Sequence, residues 1–330
     1  MTSASPHPVP SAARPIEPPA AAPCIEVIQG DLSAYRQSNS GVDYVHRFES
    51  GKPGPHVLIN ALTHGNEICG MVAVKRLLDS GVRPRIGTLT LSFAHVEAYD
   101  AFDPSKPFEN RQIVHNLNRI WSDELLGGTE DSPELRRARA LRPIVAAADH
   151  ILDIHSTSQD VVPFWVYPDF ARNADAALAI GLPSVHLVMP NGLGSGTPLI
   201  QHGLHAGANA PGAAMVAECG QHFMQKTADV AVEVTARFLA YFGIVDSESP
   251  TPVLKAQRRF ELLETRMVMT EDFAFTRPLI GFETFAKGEL IATDGDAAEI
   301  RSPCDECTIF MPTRAPIVGR EAVYLTKPIS

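Results

Sequence analysis

The sequence predicts an α/β fold: a mixed, largely parallel sheet with helices on both faces, followed by a small C-terminal β domain. Two observations predict it. Apolar runs of strand length alternate with segments of helical period over most of the chain, the pattern of a parallel sheet with crossover helices. The polar, proline-bearing stretch Asp246-Ser-Glu-Ser-Pro-Thr-Pro252 then interrupts that alternation, and short strands with turn signals take over.

The elements follow in order. Residues 1–40 read as a tail and lead-in, rich in proline, alanine and serine up to residue 23, without the continuous apolar stretch of a signal peptide. Tyr44 to Glu49 and Val57 to Leu62 read as strands, Ile68 to Leu78 as an apolar-periodic helix, and Thr88 to Ala94 as a strand. Arg111 to Trp121 is a polar loop. Ser132 to Ala147 has helical spacing and opens with Ser-Pro, a cap followed by proline in the first turn; its Leu135-Arg-Arg-Ala-Arg139 reads as a solvated face. His150 to His155 and Val161 to Tyr167 read as strands, the second as core or as an apolar pocket wall. Ser184 to Val188 and Ala213 to Glu218 are further strands, and Thr227 to Phe242 is a long helix. The glycine-rich Asn191 to Gly196 lacks the following helix of a dinucleotide fingerprint and reads as a loop near the site. The main domain is therefore placed at 41–246 and the β domain at 253–330.

Composition sets limits on function. A chain of 330 residues with 45% hydrophobic content buries a substantial core, and a net charge of −10 argues against a nucleic-acid partner. No 18-residue apolar run exists, so no membrane span is expected. Of five cysteines only Cys304 and Cys307 are closely spaced, which fits a reduced pair in a cytoplasmic protein.

The chemistry-bearing residues lie at strand ends. His64-Gly-Asn-Glu67 puts an imidazole and a carboxylate at a strand-to-helix turn, two of the three protein ligands of a catalytic zinc site. Alone this spacing is weak. His155, closing the strand of Asp153-Ile-His155, supplies a third, and Asp153 shares its face and can orient the ring from behind. Both histidines then sit beyond C-terminal strand ends, where ligands bind in open α/β sheets. Glu218, ending another apolar strand, has the place of a general base. The intervening loop offers Arg111 and Arg119, whose guanidinium forks suit carboxylates or a developing oxyanion.

These motifs, in this order, resemble the succinylglutamate desuccinylase and aspartoacylase family, relatives of the zinc carboxypeptidases. The resemblance rests on His64-Gly-Asn-Glu67, Leu117-Asn118-Arg119, Asp153-Ile-His155 and Glu218, and extends through Phe285 to Gly295 and Ile309 to Tyr324, covering about residues 45 to 325. It implies one zinc ion per subunit, held by His64, Glu67 and His155, with Glu218 activating water and Arg111 polarising the scissile carbonyl. It also implies that Asn118 and Arg119 hold a substrate carboxylate. Three positions depart from the family pattern: Asn116 stands where an aspartate is usual, Ser156 to Asp160 contains no arginine, and Ala208 replaces an arginine. The expected substrate is therefore a small N-acylated carboxylate with one anchored carboxylate, its other end neutral or read by His202 and His205. The reaction implied is amide hydrolysis that deacylates an N-acyl amino acid or related amine. A metallocarboxypeptidase and a catalytically silent carboxylate-binding module are the alternatives, and a homo-oligomer is left open.

Overall fold

The computed structural model describes residues 23–246, 256–296 and 298–329; residues 1–22 of the expected tail and residues 247–252 of the expected linker lie outside them. The first half carries β1 (Val45–Glu49), β2 (His56–Ala61), α1 (Ile68–Asp79), β3 (Thr88–Phe93), α2 (Val96–Asp100), α3 (Asp123–Gly127), α4 (Pro133–Ala147) and β4 (His150–Thr157). Next come β5 (Phe164–Pro168), α5 (Ala171–Ile180), β6 (Val185–Met189), β7 (Ala214–Gln221) and α6 (Gln225–Tyr241). The C-terminal part contributes β8 (Arg258–Met267), β9 (Ala274–Phe275), β10 (Thr284–Phe285), β11 (Leu290–Asp294), β12 (Ala298–Arg301), β13 (Cys307–Phe310) and β14 (Glu321–Ile329).

Alternation along β2 shows why the sheet is covered on both sides. Val57 and Ile59 join a core with Val74 of α1 and Phe238 of α6, whereas Leu58 joins the opposite core with Leu135 and Leu141 of α4. The main sheet runs β1-β3-β2-β4-β7-β5-β6-β8-β14-β13-β10. Its centre is parallel from β3 through β2 and β4 to β7, and again from β5 through β6 to β8. Strand β5 runs antiparallel to β7, which makes the sheet mixed. The C-terminal strands keep a core of their own around Phe285, Ile291, Ile309 and Val323, yet continue the main sheet because β8 pairs with β6.

Helix α4 starts as the sequence predicts, with the Ser132 hydroxyl accepting from the Leu135 amide at 3.1 Å and Pro133 opening the first turn. Its arginines are less solvated than predicted. Arg137 donates to the Phe93 carbonyl at 2.8 Å and Arg139 to the Gly128 carbonyl at 2.9 Å, because loop and strand-end carbonyls lie within reach of that face. Helix α5, left unassigned by the sequence reading, covers the sheet with Ala174, Ala176, Ala177 and Ile180. No helix among the described residues is long and apolar enough to cross a membrane.

Candidate metal centre and substrate cavity

At the C-terminal end of β2 the backbone turns sharply. Leu62 adopts φ 59°, a costly conformation for a branched side chain, and its carbonyl is fixed by the His95 amide at 2.8 Å. The turn places Thr63 and His64 over the strand ends. Gly65 follows, where a Cβ would lie 2.4 Å from the Ala98 carbonyl carbon and 2.6 Å from the Asn110 oxygen. Only glycine admits that approach, and its amide donates to the Arg111 carbonyl at 3.0 Å. The loop bearing Arg111 and Asn116 is thereby held against the His64 turn.

Glu67 sits between the two histidines. Its Oε1 is 2.8 Å from His64 Nδ1 and its Oε2 is 2.9 Å from His155 Nδ1. The far nitrogens meet acceptors: His155 Nε2 donates to Asp153 Oδ2 at 2.7 Å, and His64 Nε2 donates to Asn116 Oδ1 at 2.9 Å. Asp153 is fixed in turn, its Oδ1 accepting from Asn60 Nδ2 and from Thr63 Oγ1, each at 2.8 Å. The sequence placed Asp153 behind His155, and there it lies. Asn116 provides the acceptor behind His64, because an amide oxygen accepts an imidazole N–H.

This donor set suits a divalent cation. One atom each from His64, Glu67 and His155 lie within 4.8 Å of one another, all three side chains are buried, and each ring has its Nδ1 turned toward the cluster and its Nε2 proton engaged behind. Burial, aided by Arg111, lowers His64 to about 4, so that its ring is neutral near pH 7. Burial also works against charge on His155 and Glu67. For His155 the Asp153 and Glu67 carboxylates outweigh it and hold the ring well above its usual range; for Glu67 the two histidines and Arg111 hold the carboxyl well below.

Glu218 is placed by strand register. It pairs with His155 across β4 and β7 and with Phe164 across β5, so it lies directly beside the cluster. Its Oε2 is buried without a hydrogen-bond partner among the described residues, an unsatisfied lone pair in a place where such atoms are nearly always satisfied. Burial, with the Glu67 and Asp153 charges adding to it, pushes this carboxyl up to about 8 despite the opposing charges of His155 and Arg111. Arg111 gives Nη1 to Glu67 Oε1 at 2.6 Å and keeps a third of its side chain exposed, at 33%.

His64, Arg111, Asn118, Arg119, His155 and Glu218 all line one cavity of about 840 Å³, within the range of small-molecule sites. His202 and His205 do not line it. They are buried elsewhere, His202 Nδ1 donating to the Trp121 carbonyl at 2.9 Å and His205 Nε2 to the Ala148 carbonyl at 3.0 Å, so the structure corrects the expectation that they read a substrate end. Asn118 accepts the Leu199 amide at 3.0 Å. Arg119 meets Glu321 of β14, Nε to Oε1 at 2.9 Å and Nη2 to Oε2 at 2.8 Å.

Sequence reasoning missed several residues of this cavity. His222, buried and lowered by burial to about 3, shares a hydrogen bond of 2.8 Å with Ser156 Oγ. Arg314 lies 4.1 Å over the Phe108 ring, and Glu321 and Tyr324 come from the far C-terminus. Only a folded chain brings these residues to the cavity. The expected loop near the site is confirmed by Leu193 and Ser195 in its wall.

Comparison with known proteins agrees with this fold. Among solved structures the fold is similar to succinylglutamate desuccinylase from Vibrio parahaemolyticus, at 18% identity and a TM-score of 0.65 over 87% of each chain. It is also similar to that from Chromobacterium violaceum, at 16% identity and a TM-score of 0.66 over 88% of this chain and 90% of that one. An aspartoacylase family protein from Mesorhizobium loti aligns at 20% identity and a TM-score of 0.57 over 87% of this chain and 89% of that one. No curated protein matches the chain. The model of the succinylglutamate desuccinylase/aspartoacylase catalytic domain matches residues 53–240, and the chain belongs to that family.

Proposed function

We propose that the protein is a zinc-dependent hydrolase that cleaves the amide bond of a small N-acyl amino acid, with one ion per subunit. The observation that carries the reading is the placement, on adjoining strands, of the buried His64, Glu67 and His155 cluster and the unpartnered Glu218. His64 Nδ1, Glu67 and His155 Nδ1 would hold the ion. A zinc ion with three protein ligands supplies Lewis acidity toward an acyl oxygen and lowers the pKa of water.

The chain's own groups do the rest. Glu218 takes a proton from the attacking water and delivers it to the leaving nitrogen. Arg111 keeps one N–H on Glu67 and offers the remaining fork to the charge that develops on the acyl oxygen. Asn118 and Arg119 stand at the carboxylate end of the substrate, Arg119 as one member of an ion pair. In this reading residues 41–246 carry the chemistry, and residues of the C-terminal strands and their loops, among them Phe282, Met311 and Glu321, wall the cavity. That all five cysteines are free supports a cytoplasmic setting.

The test is amine release from a panel of N-acyl amino acids and tripeptides by metal-replete protein, with metal analysis alongside. Turnover of N-acyl amino acids, lost on chelation and restored by zinc, is expected. Protein that holds a full equivalent of metal yet releases amine from none of them overturns the proposal.

A further inference from the structure

Three features of the cavity bear on the part of the substrate that does not react. First, two of its cations already have carboxylate partners. Arg119 is clamped by both oxygens of Glu321, with Tyr324 Oη 3.1 Å from Nη2 and the Asn118 carbonyl 2.8 Å from Nη1, and Arg111 is paired with Glu67. Arg314 and Arg320 also line the cavity, but both are exposed, where solvent screens their charge. A dicarboxylate would thus enter with little unspent positive charge to replace its hydration.

Second, one wall of the cavity, starting beside Glu218, is apolar. Phe164 lies beside Glu218 across the strand pair, and Phe282 packs on it at 5.8 Å between ring centres. The apolar wall continues to the mouth, where Ile280, Ile317 and Val318 are large hydrophobic residues left 46–52% exposed while facing one opening.

Third, two residues of this wall hold costly backbone. Phe282 has φ 70° and Met311 φ 47°, a region unfavourable to bulky side chains, and both side chains line the cavity.

We infer that the substrate is a monocarboxylate bearing a bulky apolar substituent, seated against Phe282, Met311, Ile317 and Val318, rather than a dicarboxylate. This rests on the deacylase reading and narrows its substrate class. The apolar group displaces water from a surface that is otherwise unfavourably wetted, and the single carboxylate stays near the Arg119 and Asn118 side of the cavity.

The experiment compares kcat/KM of zinc-loaded protein for N-acetylphenylalanine and N-octanoylglycine with that for N-acetylaspartate and N-succinylglutamate. At least a tenfold preference for the better apolar probe is expected. Equal or greater efficiency with a dicarboxylate overturns the inference while leaving the deacylase reading intact. Should no probe be cleaved, calorimetric binding of the same four compounds decides. Tighter binding of the apolar pair then overturns the deacylase reading and leaves only the apolar seat for a monocarboxylate ligand; tighter binding of the dicarboxylates overturns both. Ile317→Asp, at a position 46% exposed, should raise KM for the preferred apolar probe at least fivefold more than KM for N-acetylglycine. An equal effect on the two counts against a seat at the mouth.

Discussion

His64 donates its Nε2 proton to Asn116 Oδ1 across 2.9 Å, and the same oxygen accepts the Asn118 amide at 2.9 Å. The second bond fixes the amide orientation, so the first fixes the imidazole tautomer and leaves Nδ1 free to serve as a ligand. Removing the acceptor releases the ring. Asn116→Ala should therefore weaken zinc binding by about 10- to 100-fold, the usual cost of losing a partner behind a ligating histidine. Asn116→Asp keeps an acceptor and should stay within about threefold of the wild type or bind more tightly. Competition with a chromophoric chelator measures both, and an unchanged affinity in Asn116→Ala would falsify a role for this bond.

Much of this site was legible in the chain because metal-type ligands at the ends of strongly apolar strands have few other reasons to be there. Helix α1 begins at Ile68 as predicted, since Glu67 ends the polar turn and an apolar period follows. Other parts were hidden for identifiable reasons. Helix α5 spans only ten residues and buries a face made mostly of alanine, so few large apolar side chains mark its period. The direction of β5 depends on its pairing with β7 rather than on any local pattern. Glu321 lies 202 residues from Arg119, and no spacing rule reaches that far. His202 and His205 lie close in sequence to Ala208, where the family pattern has an arginine, but their rings satisfy backbone carbonyls away from the cavity, which no local pattern announces.

Glu218→Gln separates catalysis from metal binding. The substitution keeps size and shape but removes the proton acceptor, so turnover should fall by about 10²- to 10⁴-fold. Zinc content should not change, because the ligands are His64, Glu67 and His155 in the proposed function. Loss of the metal together with the activity would instead make Glu218 a ligand, and full activity would remove it from the mechanism.

The Arg119 and Glu321 pair joins the loop of the site to β14, and removing one partner strands the other. Glu321→Ala leaves the guanidinium largely buried, with 14% of its side chain exposed, and should cost about 3 kcal/mol, the low end for a broken buried pair. Replacing both, as Arg119→Met with Glu321→Leu, removes the stranded charge and should recover more than half of that loss. Urea midpoints at unchanged m-value report the difference. A double variant less stable than Glu321→Ala alone contradicts the argument.

The loop that carries Arg111, Asn116 and Arg119 is also held from below, by Glu134 in the first turn of α4. Its Oε1 accepts from the Ile113 amide at 2.7 Å, the Val114 amide at 3.1 Å and His95 Nε2 at 2.9 Å, while Oε2 accepts from the His115 amide at 3.2 Å. Burial works against this charge, but His95 and the three amides outweigh it and bring the carboxyl from 4.5 down to about 2. A folded pKa below the unfolded one means that the unfolded chain binds the proton first on acidification. The contribution of Glu134 to stability is therefore complete above about pH 4.5 and is lost as the pH falls through about 2. Glu134→Gln cannot offer a charge at any pH. Its melting temperature should lie below that of the wild type at pH 7 and pH 5, and the gap should narrow steadily from pH 4.5 toward pH 3. A gap that stays constant over that window would show that the carboxylate acts by shape alone, because only a titrating charge makes the difference depend on pH.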